Sequence, residues 1–529
     1  MLPTARTLGE IVDHAARHYG ERTALVVYEE KLSYGLLARR AHEDARLLRG
    51  SGLSPGDRVA IWLPNGTRFV ELAFGCALAG LVVVPLNTRL KHADAAHALA
   101  KSGARALFFM QEFIGIDFYG LVEGILSDVA LPKLEIVVNL DNGEGGRIRA
   151  ARRWREETRP AEDLPAVGPD MPAFINFTSG TTSRPKGAVV GHGTFVHIAR
   201  EVARRMQYGP HERVASAMPF YHNGGFVPTL LTSLLTGSTL YTQPRFDPDY
   251  ALDTIDRYRC SVVSGTGTLF TMMLDSPALA RTDFASVRAV RITGPADMRR
   301  AVKARFGHPM LYSLYGMTET TAAVTLTEPD DSLDEQLNTN GKPLPGVTIR
   351  IAGADGGEVA RGEHGEIWIH GTHCLMQGYF DEPEATAQVL TPDGWMRSGD
   401  LGFVDPRGNL VLVGRIKDMY RSGGENVACA EVEEFLRGHP AVLHAAVLGV
   451  PDPRLDEVGL AFVELRAGAT ASEQELKDYC RRNLANFKVP RHIRFRQGLP
   501  LTVSGRVEKH RLRNDALAAA NGNGEPQKA

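Results

Sequence analysis

The chain has 529 residues, 43% hydrophobic and 23% charged, with 60 Lys and Arg against 62 Asp and Glu. At about 150 residues per unit this length predicts three or four folding units, and the composition excludes a disordered, collagen-like or coiled-coil chain. A net charge of −2 gives no general attraction to nucleic acid or an anionic membrane, so only a local cationic pocket is expected.

In chain order, Leu8–Tyr19 reads as an amphipathic helix with interspersed charges rather than a signal peptide. A strand at 58–63, a helix at 66–79 and strands at 81–85, 107–110 and 134–140 follow. The longest apolar run, 72–84, is too short to span a bilayer and predicts a buried helix leading into a strand. Strands alternating with helices, continued from Pro172 to about Met310, predict βαβ units and largely parallel sheets. After Gly341 the short strands 347–351, Gly365–His370 and 409–413, separated by glycine turns, predict a small barrel or twisted antiparallel sheet. A charged stretch at 414–421 marks a domain boundary. Beyond it, helices at 430–438 and 472–483 and strands at 441–450 and 458–465 form a compact αβ unit, with a frayed tail over 518–529. Cys76, Cys260, Cys374, Cys429 and Cys480 form no C-x-x-C pair, which fits a reducing cytoplasm and gives no support to a zinc site.

Two patterns carry less than they suggest. Gly52-Leu53-Ser54-Pro55-Gly56 has the spacing of a hydrolase nucleophile elbow, but it connects helix to strand and the elbow must connect strand to helix. His92 and His97 lie on a helix-like stretch without a third ligand.

The strongest chemical signal is Phe177-Thr178-Ser179-Gly180-Thr181-Thr182-Ser183-Arg184-Pro185-Lys186-Gly187, which follows a predicted strand at 172–177. Its hydroxyls and turn amides suit an anion that Lys186 can neutralise. It is no Walker A loop, because Lys186 precedes Gly187 and the next residues, 188–190, are strand-like. Asp400 in a Gly-Asp turn is an acceptor for two ribose hydroxyls. Glu319 is a hard oxygen ligand suited to Mg²⁺ beside phosphates, and Thr318 can donate to an α-phosphate. Tyr315 offers a stacking face for adenine, and Arg415 a donor to ribose or phosphate.

The hydroxyl-rich segment resembles the phosphate loop of the adenylate-forming superfamily: acyl-CoA synthetases, peptide-synthetase adenylation domains and firefly-type luciferases. The family has a further glycine where this chain has Ser183. Five more segments follow in the family's order. Pro219-Phe220-Tyr221-His222-Asn223-Gly224-Gly225 resembles the acyl-pocket segment, and Thr293-Gly294-Pro295 the adenine-contacting loop. Tyr312-Ser313-Leu314-Tyr315-Gly316-Met317-Thr318-Glu319 is similar to the adenylate-binding segment. Trp395-Met396-Arg397-Ser398-Gly399-Asp400-Leu401-Gly402 and Gly414-Arg415-Ile416-Lys417-Asp418 match the last two. The resemblance covers about residues 8 to 515.

It implies an α/β fold. Residues 1–416 would form a large N-terminal domain of two α/β sheet subdomains plus a small β-barrel, and 417–529 a small mobile α+β C-terminal domain. It also implies two half-reactions. A carboxylate attacks the α-phosphate of ATP to give acyl-AMP and pyrophosphate, with Mg²⁺. The thiol of coenzyme A then attacks the acyl carbonyl and AMP leaves. Between the steps the C-terminal domain rotates about a hinge that resembles Lys417, and Arg421-Ser422-Gly423-Gly424-Glu425-Asn426 resembles the loop lining the pantetheine tunnel.

One position departs informatively. In Leu499-Pro500-Leu501-Thr502-Val503-Ser504-Gly505-Arg506-Val507, Arg506 stands where the family has its adenylation lysine. Arginine keeps the charge on a longer planar fork with different reach. Lys509, three residues on, reads as solvated. The combination resembles acyl-CoA synthetases of platensimycin- and platencin-type diterpenoid biosynthesis, which only thioesterify acyl-adenylates made by a separate adenylating enzyme. The expected function is therefore acyl-CoA formation with adenylation impaired or lost. The alternatives are a complete two-step ligase, an enzyme loading a carrier protein, a luciferase-like oxygenase and a catalytically silent nucleotide-binding protein. Small residues at Asn223, Gly224 and Gly225 suggest room for a bulky or cyclic acid. Neither nucleic acid nor membrane is an expected partner, and a homodimer is compatible with the sequence.

Overall fold

The structure is a computed structural model that describes residues 4–178, 185–422, 425–452, 454–482, 484–501, 507–509, 511–513 and 515. The chain divides into two compact units. The first comprises the residues up to Thr348 together with Ile369–Met396, and the second comprises Ile349–Trp368 and the residues from Arg397 onward.

The first unit contains two large sheets. One has eight strands in the order Gly378–Tyr379, Lys186–Gly191, Pro172–Thr178, Val82–Pro85, Arg58–Trp62, Ala106–Phe109, Ile136–Asn139 and Arg149–Ala150. Its central strands run parallel, as the strand–helix alternation requires. Val82–Pro85, Ala106–Phe109 and Ile136–Asn139 are buried along their whole length, and Trp62 packs edge-on against Phe118 at 4.8 Å between ring centroids. The apolar run 72–84 resolves as expected: helix Thr67–Leu78, a turn, then strand Val82–Pro85. Among the described residues no helix is long and apolar enough to cross a membrane.

The other sheet has seven strands in the order Met310–Tyr312, Ala289–Thr293, Val262–Thr266, Arg213–Ser216, Thr239–Thr242, Thr23–Val27 and Glu30–Ser33. All neighbours are parallel except the last pair. Helix Leu8–Tyr19 starts at Thr7, whose hydroxyl accepts the Glu10 amide, and helix Tyr34–Gly50 starts at Ser33, whose hydroxyl accepts the Leu36 amide. Each cap satisfies an amide that has no partner inside its helix.

The region expected to form a small barrel or twisted antiparallel sheet is a four-stranded sheet, ordered Thr348–Ala352, Gly365–His370, Met396–Val404 and Leu410–Arg415. A five-stranded sheet follows. Glu425–Ala428, Met419–Ser422, Asp456–Leu465 and Val442–Asp452 lie side by side, and His492–Phe495 runs parallel on Asp456–Leu465. Helices Cys429–Arg437 and Glu473–Arg481 contribute Val432, Leu436 and Leu476 to its core. Residues 414–421 lie inside the second unit.

Candidate active site

Strand Pro172–Thr178 is apolar through Ala173, Phe174 and Ile175, then reaches the half-buried Phe177 and Thr178. It pairs antiparallel with strand Lys186–Gly191, so Thr178 stands opposite Lys186 and its hydroxyl donates to the Lys186 carbonyl at 3.4 Å. Ser179, Gly180, Thr181 and Thr182, expected between them, lie outside the described residues.

Strand Gly378–Tyr379 pairs with Lys186–Gly191, which carries a residue that the sequence did not single out to the site. The Lys186 ammonium lies 5.2 Å from the centre of the Tyr379 ring, and the Tyr379 hydroxyl donates to Glu319 Oε1 at 2.8 Å. The Glu319 carbonyl accepts the Met376 amide at 2.7 Å. Glu319 is thus fixed at its main chain and at one carboxylate oxygen, while Oε2 has no partner among the described residues. A single hard oxygen fits Mg²⁺, which takes one or two carboxylates and completes its shell with phosphate oxygens and water. No cluster of three or more protein ligands occurs among the described residues.

Tyr315 ends the short strand Leu314–Tyr315 and is 4% exposed. At Gly316 a Cβ would lie 2.3 Å from the Ala322 carbonyl oxygen, so only glycine allows this approach. Met317 donates its amide to the Thr320 hydroxyl at 2.9 Å, and Thr318 and Glu319 lie in the following 3-10 turn. The turn ends at Thr321 and Ala322, both left-handed with φ of 58° and 93°. Adjacent non-glycine residues in this region cost about 1–3 kcal/mol each, a strain that concentrates at functional loops.

Asn223 joins the two predicted segments: its Nδ2 donates to the Thr318 carbonyl at 3.2 Å. Tyr221 is buried and His222 is exposed. The glycines differ in what their lack of a side chain achieves. A Cβ on Gly225 would lie 2.2 Å from the Pro219 carbonyl oxygen, so that smallness is consumed by the local turn. At Gly224 the nearest atom is the flexible end of Met218, at 3.2 Å. Only Gly224 leaves space that a side chain could yield.

Thr293 closes strand Ala289–Thr293, and Pro295 precedes helix Ala296–Arg305. Between them the Gly294 carbonyl accepts from Arg299 Nε at 2.8 Å. Arg299 also bonds the Leu337 and Thr339 carbonyls, which anchors the loop to a distant segment.

In the second unit Asp400 and Arg415 face each other across two antiparallel strands, with Arg415 Nε donating to Asp400 Oδ1 at 3.0 Å. Asp400 is 5% exposed. The turn before it needs Gly399, whose φ is +69°. The Gly399 amide donates to Glu366 Oε1 at 2.9 Å, and Trp368 Nε1 donates to Glu366 Oε2 at 2.8 Å. The Trp368 ring lies 4.6 Å from the Arg350 guanidinium and 4.9 Å from that of Arg397.

Lys509 departs from expectation. It is not solvated: its ammonium bonds Glu433 Oε1 at 2.8 Å, with Asp418 at 4.0 Å. Burial works against its charge, but the neighbouring anions raise its pKa above the ordinary lysine value. Lys417 lies in the 3-10 turn Ile416–Asp418. Gly423, Gly424 and Arg506 lie outside the described residues.

The sequence pattern described as AMP-binding enzyme matches residues 12–380, and that of the AMP-binding enzyme C-terminal domain matches residues 431–506. The chain belongs to the AMP-binding enzyme family. A (7a-methyl-1,5-dioxo-octahydro-1H-inden-4-yl)propanoyl:CoA ligase of Rhodococcus jostii is 35% identical, covering 96% of this chain and 98% of the relative. The mitochondrial medium-chain acyl-CoA ligase of Mus musculus is 31% identical over 96% of this chain and 87% of its own. The crystal structure of the anthranilate CoA ligase AuaEII in complex with anthranoyl-AMP has a TM-score of 0.89 at 25% identity, covering 98% of this chain and 99% of that one. The chain is an acyl-CoA synthetase of the adenylate-forming superfamily, a ligase that forms carbon–sulfur bonds. Enzymes of this kind use ATP, coenzyme A and Mg²⁺.

Removal of the Asp400 carboxylate tests the ribose contact. Asp400→Ala is expected to weaken acyl-AMP binding at least about tenfold, because charge-assisted hydrogen bonds contribute about 1.5–3 kcal/mol. Calorimetry showing unchanged affinity would exclude Asp400 from the site.

Proposed function

We propose that this acyl-CoA synthetase completes the thioester from a supplied acyl-adenylate and coenzyme A, with its adenylation half-reaction impaired or lost. The observation that carries this reading is Arg506 in the position of the family's adenylation lysine. Adenylation brings a carboxylate against the α-phosphate, and a cation must sit between two anions at one defined point. A guanidinium fork does not reproduce a compact ammonium there. Lys509 is a poor replacement, since it is held by Glu433. A separate adenylating enzyme would then supply the acyl-AMP.

The nucleotide half of the site supports retained adenylate binding. Thr178, Lys186, Tyr315, Thr318 and Glu319 are residue types that phosphate and adenine require, and Asp400 and Arg415 are residue types that ribose requires. A bulky or cyclic acid is the substrate class we favour, given the yielding space at Gly224. The complete two-step ligase is the second reading, favoured by relatives named as CoA ligases. Thioester formation from synthetic acyl-AMP and free coenzyme A, compared with formation from acid, ATP and coenzyme A, decides between them. Equal rates would sink the half-reaction reading.

Lys417 is the proposed hinge. A 3-10 turn has φ near the value that proline fixes. Lys417→Pro should therefore lock this turn and lower multiple-turnover thioester formation by on the order of tenfold, while acyl-AMP still binds. Wild-type rates in that variant would place the hinge elsewhere.

A further inference from the structure

Arg291 is a guanidinium buried in the sheet without an acidic partner among the described residues. It lies on strand Ala289–Thr293 in register with Ser264 on the neighbouring parallel strand, and Thr293 pairs with Thr266 one step further along. Side chains alternate faces along a strand. Val290 and Ile292, with Val263, belong to an apolar core on one face. Arg291 and Ser264 take the opposite face, as do Thr293 and Thr266. Thr293 and Thr266 are half-buried, whereas Arg291 and Ser264 are 2% and 3% exposed. A polar track therefore runs inward from the loop of Thr293-Gly294-Pro295 and ends at the Arg291 guanidinium.

The segment expected to line the acyl pocket covers this track. Arg291 Nη2 donates to Thr229 Oγ1 at 3.0 Å and to Ser264 Oγ, and approaches the Gly224 carbonyl at 3.4 Å. Thr229 belongs to the six-residue π-helix Phe226–Leu231, a rare geometry found frequently at functional sites. All three contacts use one nitrogen. Nε is buried without a partner, as is the nearby Tyr208 hydroxyl. No carboxylate pairs with Arg291 among the described residues. Burial pushes its pKa down to about 10, so it stays cationic at neutral pH.

A buried charge without a counter-charge is retained at a cost, and an apolar side chain of similar volume would generally be neutral or stabilising in its place. Holding Thr229 and Ser264 requires only a neutral donor. We propose that Arg291 is a specificity residue that receives a second oxygen acceptor of the acyl group, a ketone or a carboxylate remote from the reacting carboxyl. This rests on the acyl-CoA synthetase reading, and it narrows the substrate class to oxygenated acids.

The test compares cyclohexylpropanoyl-adenylate with its ring-keto and ring-carboxylate analogues, reading kcat/KM for thioester formation with coenzyme A. The wild-type enzyme should favour at least one oxygenated analogue by about tenfold or more, the range of a hydrogen bond to a charged group. The two analogues separate a ketone from a carboxylate. Arg291→Met should bring the oxygenated-to-plain ratio to within about threefold, and Arg291→Lys should hold an intermediate ratio. Arg291→Gln keeps a donor for Thr229 or Ser264 without the charge, and supplies the same comparison if the Met variant does not fold. A preference for the plain adenylate in the wild type, or an unchanged ratio in Met and Gln variants of normal thermal stability, would overturn the proposal. No thioester from any of the three with wild-type enzyme would instead overturn the synthetase reading, and this proposal with it.

Discussion

Arg506→Lys is expected to raise ATP–pyrophosphate exchange with the cognate acid by about 10²–10³-fold, the effect of one well-placed charge-stabilising donor on a developing anion. The same substitution should leave the reaction of supplied acyl-AMP with coenzyme A within a few fold. Adenylation must hold a carboxylate and a phosphate together, whereas thioesterification begins with that bond already made. The neighbouring lysine does not blunt the contrast. Lys509 is tied to Glu433 and Asp418, so freeing it would leave those carboxylates unpaired. Robust exchange in the native enzyme would refute the half-reaction reading and leave an ordinary two-step ligase. If exchange stays at background in the lysine variant too, Arg506 is not the sole cause, and Ser183 in the phosphate loop is the next position to change.

Arg68→Met is expected to lower the stability of the first unit by a few kcal/mol. Asp44 and Glu71 are fully buried between helices Tyr34–Gly50 and Thr67–Leu78. Arg68 Nη1 joins them, at 3.0 Å from Asp44 and 2.5 Å from Glu71, while Arg155 and Arg40 each reach one carboxylate from the outside. Burial opposes the Arg68 charge, but the two carboxylates outweigh it and raise its pKa. The helices cannot separate cheaply to admit water. They meet at Gly75, where a Cβ would lie 2.9 Å from the Asp44 Cβ. Breaking a buried ion pair costs about 3–5 kcal/mol. With Arg40 and Arg155 retained we expect about 2–3 kcal/mol, or roughly 2–4 °C in the midpoint of a unit of this size. Calorimetry showing a change below about 1 °C would mean that the two outer arginines suffice.

Much of the architecture follows from local signals. Leu8–Tyr19 has the expected bounds, and the strands and helix between Arg58 and Pro85 fall within a residue or so of their predicted ends. Hydrophobic periodicity and turn residues act over a few positions, so they survive in the sequence alone. The hydroxyl-rich loop, the Glu319 turn and the Gly-Asp turn were legible for a related reason, since each gathers its chemistry within a dozen consecutive residues.

What the sequence left open depends on strand order and register. Tyr379 reaches Glu319 from 60 positions away because Gly378–Tyr379 adds to the edge of the sheet beside Lys186–Gly191. Nothing in the sequence singles out Arg291. Pairing with Ser264 and contact with the π-helix turn it into a buried cation with no carboxylate beside it among the described residues. Lys509 reads as solvated until the fold sets Glu433 beside it. Gly224 and Gly225 look equivalent in sequence, yet only the backbone path of Pro219 shows that one is fully packed and the other yields. In each case residue type states what a side chain can do. Its charge state, free valences and available space come from neighbours that the chain brings together only by closing its sheets.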